Sequence, residues 1–196
     1  MPATKTQVRS TILAARRSLT EQRRRAEAAA VARHLEALIP SGSTVCAYVP
    51  VGSEPGSAAA LDALDARGVV VLLPVARNDI DGTAQPLRWG RYRPGALVDA
   101  PFGLREPAPP WSPAEDVALA ATVLVPALAV DRRGTRLGRG AGFYDRTLGL
   151  AAPAARLVAV VRDDEVVEEL PSEDHDVPMT HALTPGRGLV ALAGRE

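Results

Sequence analysis

The stretch from residue 43 to residue 75 limits the fold more than any other part of the chain. "STVCAYVPV" and "VVVLLPV" are short, almost wholly apolar runs rich in β-branched residues, the pattern of strands buried on both faces. Between them "SAAALDALDARG" has helical composition and ends on Gly68, a residue suited to closing a helix. Strand, helix, strand is a βαβ unit, which predicts a parallel pair with a right-handed crossover. "LAATVLVPALAVD" and "RLVAVVR" predict two more buried strands, and "QPLRWGRY" a further one. The expected class is therefore α/β, built on an open, mostly parallel sheet.

The remaining segments dress that sheet. Residues 4–38 read as two helices: Val8, Ile12 and Leu19 recur at near-helical spacing, Thr20 caps the second helix, and Pro40, Ser41 and Gly42 stop it. "DAPFGLREPAPPWSPAED" carries too many prolines for a helix and is expected to be an ordered loop or an edge. With no repeat and no linker between two cores, residues 1–196 are expected to form one domain, acting as a monomer.

Composition narrows the functional classes. The formal net charge is zero, so no global field draws the chain to nucleic acid or to an acidic membrane. The single cysteine, Cys46, lies within a strand run and reads as a core residue. The N-terminus lacks the apolar region of a signal peptide and no run approaches a membrane span, so a cytoplasmic protein is expected.

Chemistry concentrates in "DRRGTRLGRGAGFYDR", residues 131–146, which holds four glycines, five arginines, two aspartates and two aromatics. It follows a predicted strand, and in open parallel sheets ligands bind beyond the carboxyl ends of the strands. Closely spaced glycines let backbone N–H groups converge on an anion, with Arg136 and Arg139 as side-chain donors. The run matches neither standard nucleotide-binding glycine motif. Two readings fit the residues alone: a phosphate cradle, or a flexible arginine-rich turn.

Three further residues stand apart. The chain has 22 arginines and one lysine, Lys5, whose compact ammonium reaches phosphates where a planar guanidinium does not fit; the alternative is a chance lysine in a mobile terminus. Residues 163–176 carry eight carboxylates and read mainly as a solvated face. Asp176 at its end, and Asp145 just after the glycine run, are candidate hard-oxygen ligands for Mg²⁺. His175 reads as a structural residue or the partner of a ligand, since no nucleophile motif accompanies it.

Taken together, these motifs resemble one family. "VLVPALAVDRRGTRLGRGAGFYDR" is similar to the signature of the 5-formyltetrahydrofolate cyclo-ligases, also called 5,10-methenyltetrahydrofolate synthetases. "KTQVR", "YVPVGSEPGS", "FGLREP" and "EDHDVPMT" match the family's other motifs in order. Gly56 stands where an acidic residue is common, Phe143 where Tyr is frequent, and Thr180 where Asp is common. The resemblance implies a three-layer sheet of the NagB/RpiA/CoA-transferase-like type with N-terminal helices. It implies ATP- and Mg²⁺-dependent cyclisation of 5-formyltetrahydrofolate, with or without a polyglutamate tail, to 5,10-methenyltetrahydrofolate, giving ADP and phosphate. By the same resemblance ATP is bound by Lys5, Arg9 and the stretch Arg136, Leu137, Gly138, Arg139, Gly140, Ala141, Gly142, Phe143 and Tyr144. Arg136 and Arg139 carry the catalytic charge. Glu54 and Arg139 to Phe143 line the folate side, and Asp145 and Asp176 hold Mg²⁺.

Two other classes compete. A non-catalytic folate-binding protein would keep Glu54 without needing Lys5, Asp145 and Asp176. A nucleic-acid-binding module could use the arginine-rich helices, but zero net charge and 4% aromatic residues speak against it.

Overall fold

The computed structural model describes residues 4–173 and 176–193. Helix α1 (Lys5–Arg17) starts with a capping box: the Thr4 hydroxyl accepts from the Gln7 amide, and the Gln7 side chain accepts from the Thr4 amide at 2.9 Å. Helix α2 (Glu21–Leu38) is capped by Thr20, as its sequence predicts. The βαβ unit follows as β1 (Thr44–Cys46), α3 (Ala58–Ala66) and β2 (Val70–Val75), with β1 and β2 parallel. Strand β3 (Arg88–Arg91) pairs antiparallel with β2. A hairpin of β4 (Leu97–Ala100) and β5 (Leu104–Pro107) comes next. The later elements are β6 (Thr122–Pro126), β7 (Ala129–Asp131), β8 (Arg136–Leu137), α4 (Phe143–Thr147), β9 (Arg156–Val160), β10 (Val166–Val167), β11 (His181–Thr184) and β12 (Gly188–Ala191).

Seven strands form the main sheet in the order β12-β11-β9-β6-β1-β2-β3. The five central strands are parallel, while β3 and β12 close the two edges antiparallel. The period-2 alternation of strand side chains divides the core in two. Val45, Val71, Leu73, Leu124, Val158, Val160 and Leu183 face Val31 and Leu35 of α2 and Leu61 and Leu64 of α3. Cys46, Leu72, Val123, Val125, Leu157, Ala159 and Ala182 face the other way, where Trp89, Val117, Leu148 and Met179 cover them. Both faces are thus covered, the requirement for a parallel sheet. Cys46 is fully buried in that second layer, as expected of a core thiol.

Three expectations need correction. "LAATVLVPALAVD" is not one strand: β6 ends at Pro126, and β7 turns away to pair with β8 and β10 in a separate three-stranded sheet. Proline cannot donate to the ladder, so the turn-off point falls where pairing is already weakened. The run "STVCAYVPV" is a strand only over Thr44–Cys46; its remainder leaves the ladder after the Ala47 amide bonds Leu72. The proline-rich segment holds a short hairpin, with Arg105 and Glu106 on its second strand, where only a loop or an edge is predicted.

The chain moves from β1 outward to β2 on one side and returns to β6 on the other. The order of the strands therefore reverses at β1, and a crevice opens beyond the carboxyl ends of β1 and β6. Helix α1 closes one side of it by packing Val8, Ile12 and Leu13 against Ala129 and Leu137 of the small sheet and the neighbouring Leu128 and Leu170.

Candidate active site

That crevice is a cavity of about 790 Å³, lined from β2, the end of β6, the segment after β1, the β4–β5 hairpin, α1 and the second part of the glycine run. Every residue from Arg136 to Asp145 borders it, together with Lys5, Arg9, Glu54 and Asp176. Residues scattered over 171 positions of sequence thus meet at one place. His175 lies outside the described residues.

Lys5 and Arg9 stand one helical turn apart on α1, so packing of the helix against the small sheet delivers both. The Lys5 ammonium lies 3.1 Å from Glu173 Oε1 and 3.4 Å from Asp176 Oδ2. Partial burial pulls its pKa down, but hydrogen bonds and charge from those two carboxylates outweigh it, and the pKa sits above its ordinary 10.5. Arg9 Nε donates to the Gly138 carbonyl at 2.9 Å, leaving its two terminal nitrogens for other partners.

The glycine run is built in two parts. Asp131, 1% exposed, folds the first part: its Oδ1 accepts from the Arg133 and Thr135 amides at 2.9 Å each, and its Oδ2 from the Leu170 amide at 3.0 Å. Gly134 lies in the left-handed region at φ +89° and accepts from the Met179 amide at 2.8 Å. In the second part Gly140 and Gly142 take φ of +97° and +75°, whereas Gly138 does not need positive φ. The helix that follows, α4, is only five residues long, so the positive potential expected from a helix start is small; cations dominate this wall. Arg136 is paired with Asp145 at 2.5 Å and lies over the Tyr144 ring at 5.7 Å. Among the described residues, Arg136 Nε and the Tyr144 hydroxyl are buried without a hydrogen-bond partner. Burial pushes the Tyr144 phenol far above its ordinary value against the pull of Arg136, with Glu54 adding to the rise, so the hydroxyl stays a donor.

The facing wall carries Glu54. Its Oε2 accepts from the Val51 amide at 3.0 Å, and its Oε1 from Arg139 Nε at 3.2 Å. Arg139 and Glu54 thereby join the β1–α3 loop to the glycine run. Nearby, burial raises the Tyr48 phenol, and its hydroxyl donates to the Pro55 carbonyl at 3.2 Å.

Sequence reading did not single out Tyr48, Glu106 or Glu173, which also border the cavity. Glu106 is 6% exposed and paired with both terminal nitrogens of Arg77, one at 2.9 Å. The Arg77 guanidinium stacks on Trp111 at 4.5 Å, anchoring the β4–β5 hairpin to the sheet edge. A carboxylate amid apolar and proline residues in "FGLREP" was the available signal.

The departures from the family pattern have local explanations. Gly56 adopts φ +107°, and an added Cβ would lie 3.1 Å from Pro50 Cγ, so the backbone favours glycine there. The Thr180 hydroxyl braces the sheet, accepting from the Leu157 amide at 2.9 Å. Phe143 packs against the second core layer without needing a hydroxyl.

Among the described residues no three His, Cys, Asp or Glu side chains converge into a metal site. Asp145 is held by Arg136 and Asp176 by Lys5. Mg²⁺ commonly takes one or two carboxylates and completes its shell with phosphate oxygens and water, so two carboxylates bordering one cation-rich cavity are a donor set that fits it. The arrangement as a whole can neutralise a polyanion on one side while the part-buried Glu54 meets N–H donors on the other.

Comparisons with known proteins agree on what such a chain resembles. Residues 2–185 match the model of the 5-formyltetrahydrofolate cyclo-ligase family. A protein from Mycolicibacterium smegmatis named 5-formyltetrahydrofolate cyclo-ligase is 63% identical over 191 residues, 97% of this chain and 98% of its own length. One of the same name from Haemophilus influenzae is 29% identical across 90% of this chain and 95% of its own. Among solved structures, the 5,10-methenyltetrahydrofolate synthetase of Aquifex aeolicus superposes with a TM-score of 0.77 at 28% identity, covering 98% of this chain and 95% of the other. The synthetase of Mycoplasma pneumoniae gives a TM-score of 0.69 at 16% identity over 90% of this chain and 96% of its own, a likeness of fold.

Proposed function

The chain belongs to the 5-formyltetrahydrofolate cyclo-ligase family, and from that premise we propose that it converts 5-formyltetrahydrofolate and ATP to 5,10-methenyltetrahydrofolate, ADP and phosphate. The observation that carries the reading is the convergence of Lys5, Arg9, Arg136 and Arg139 on one cavity whose facing wall holds Glu54.

The N-formyl oxygen is a poor leaving group. Transfer of the γ-phosphoryl group to it releases ADP and turns that oxygen into part of a phosphate ester. N10 then attacks the formyl carbon and loses its proton. The C–O bond breaks, phosphate leaves with the former formyl oxygen, and one carbon is left joined to N5 and N10.

Phosphoryl transfer of this kind depends on positioning and on neutralising charge rather than on a protein nucleophile. Lys5 and Arg9 suit the outer phosphates, reached from α1. The positive-φ backbone at Gly140 and Gly142 permits close approach of an anion. Arg136 and Arg139 are the cations nearest the transferring group in this reading, each contributing about 2–4 kcal/mol to the transition state if they act as typical preorganised donors. Glu54 suits pterin N–H donors; substrate entry would exchange its Arg139 contact for the pterin and release Arg139 towards the formyl oxygen. Mg²⁺, held by Asp145 and Asp176 with phosphate oxygens, would supply further charge neutralisation. No described helix is long and apolar enough to cross a membrane, and a cytoplasmic site of action, with the chain as a monomer, completes the proposal.

The test is direct. Protein, Mg-ATP and 5-formyltetrahydrofolate are mixed, and the methenyl product is followed by absorbance while ADP is assayed in parallel. Methenyl and ADP forming in equal amounts supports the reading; folate binding with neither product returns the chain to the non-catalytic alternative.

A further inference from the structure

Beneath the site lies a buried charge network that the reaction does not use. Arg16, near the end of α1, is 1% exposed. It forks onto Glu165, with Nε to Oε1 at 2.6 Å and Nη2 to Oε2 at 2.7 Å, and Nη2 also donates to the Ala127 carbonyl at 2.8 Å. Glu165 sits in the short turn that follows β9 and takes a third hydrogen bond, from the Arg162 amide at 2.7 Å. The Arg162 side chain, 4% exposed, then donates to the Ser53 carbonyl at 3.0 Å and to Glu27 Oε2 of α2 at 2.7 Å. The buried Arg16 and Arg162 are matched by the buried Glu165 and the part-buried Glu27, and at the outer end Glu27 also pairs with the exposed Arg23 at 2.9 Å. Among the described residues the remaining Arg16 nitrogen, Nη1, is buried with no partner, and Glu165 and Ala127 fix this guanidinium.

The ends of the network are what matter. Arg16 belongs to the helix that carries Lys5 and Arg9. Ala127 follows β6 and borders the cavity. Ser53 precedes Glu54. One carboxylate therefore lies between the element that presents cations to the phosphates and the loop that presents Glu54 to the folate. A single small displacement there would move both walls, because a packed interior transmits strain.

We propose that Glu165 is a positioning residue that sets α1 and the Glu54 loop in register, so that the nucleotide and folate halves of the site are aligned by the same group. The inference rests on the proposed reaction for the identity of the two ligands. Its test measures binding directly, so that it can fail separately from that reaction.

Glu165→Ala removes three accepted hydrogen bonds and the 3.7 Å ion pair with Arg162 Nη1. Glu165→Gln keeps one carbonyl oxygen for Arg16, and Arg16→Met with Glu165→Leu replaces the pair by apolar groups of similar size, a change that buried ion pairs often tolerate. For each folded variant, calorimetry measures affinity for a non-hydrolysable ATP analogue with Mg²⁺ and, separately, for 5-formyltetrahydrofolate; turnover gives KM and kcat, and thermal unfolding is recorded. Glu165→Ala is expected to weaken both ligands together, each by about tenfold. Glu165→Gln should recover most of both, and the double variant should keep the weakened binding while regaining thermal stability. A purely structural role would lower the melting temperature and leave both affinities at wild-type values, and that result overturns the proposal. So does weakening of one ligand alone, or a double variant that binds both normally. If Glu165→Ala does not fold, the double variant decides. Wild-type protein that binds both ligands without turnover would sink the reaction and leave the positioning role to be judged on the same affinities.

Discussion

Gly134→Ala should destabilise the protein more than alanine at any other glycine of the run, and the structure gives the size. Gly134 is buried at φ +89°, a region that costs an L-residue about 1–2 kcal/mol. The new Cβ would lie 2.2 Å from the Met179 carbonyl oxygen and 3.0 Å from the Met179 nitrogen. Both are backbone atoms, so the segment around Met179 must move, and the 2.8 Å bond from the Met179 amide to the Gly134 carbonyl breaks. A buried amide left without its partner adds about 1–3 kcal/mol. The expected loss is thus about 2–5 kcal/mol, read from urea unfolding at unchanged m-value. Because Met179 follows Asp176 closely, Mg-ATP binding should weaken as well. A loss under about 1 kcal/mol would refute the reasoning, since it would mean that the 134–179 contact is not as close as described.

Gly140→Ala differs in kind: its Cβ would meet Arg9 Nη2 at an ordinary 3.5 Å, so only the strain of φ +97° remains, costing about 1–2 kcal/mol; turnover should fall sharply while unfolding shifts by no more than that, and wild-type turnover would make this bend an incidental turn. Lys5→Ala should reduce Mg-ATP affinity by about tenfold or more, as loss of a hydrogen bond to a charged group does, with little change in stability; calorimetry giving unchanged affinity removes Lys5 from the nucleotide site. Asp145→Asn should raise the Mg²⁺ concentration needed for half-maximal rate, and an identical titration curve would exclude Asp145 as a ligand. For Asp163, burial tends to raise the carboxyl pKa, but hydrogen bonds from Thr184, Gly186 and Arg187 outweigh it and hold the value below the ordinary 3.8. Its stabilisation is therefore present above pH 3.8 and lost as pH falls through the lower folded value; Asp163→Asn should reduce stability at neutral pH and flatten the acid limb of a melting-temperature profile.

The parts of the fold legible in the sequence are those that interact locally. The βαβ unit, the Thr20 cap and the Cys46 layer follow from periodicity and side-chain chemistry within a few residues. The C-terminal hairpin β11–β12 escaped because each strand has four residues, and β11 is specified by pairing with β9 rather than by its own pattern. The split between β6 and β7 escaped for a related reason: the apolar run is continuous, and only the small sheet formed with β8 and β10 tells the two halves apart. At the site, the glycine run brought Arg136 and Asp145 into view, and Lys5 stood out as the single lysine. Neither signal could bring the partners that hold them, since Glu173 and Lys5 are 168 positions apart. Charge pairing at such distances leaves no periodic trace.

Helix α1 is synthesised well before the surface on which it docks. Arg16 reaches its carboxylate across 149 residues, and at ordinary translation rates of about 5–20 residues per second the ribosome needs about 7–30 s to supply that partner. Until then α1 has neither Glu165 nor Leu170 to rest on, and an isolated helix of 13 residues is marginal in water. Strands β1, β2, β6 and β9 can assemble in that interval, so the nascent chain would hold part of the sheet and an open crevice without Lys5 and Arg9. Competence to bind nucleotide would then arrive late, when α1 swings back onto a scaffold already partly made.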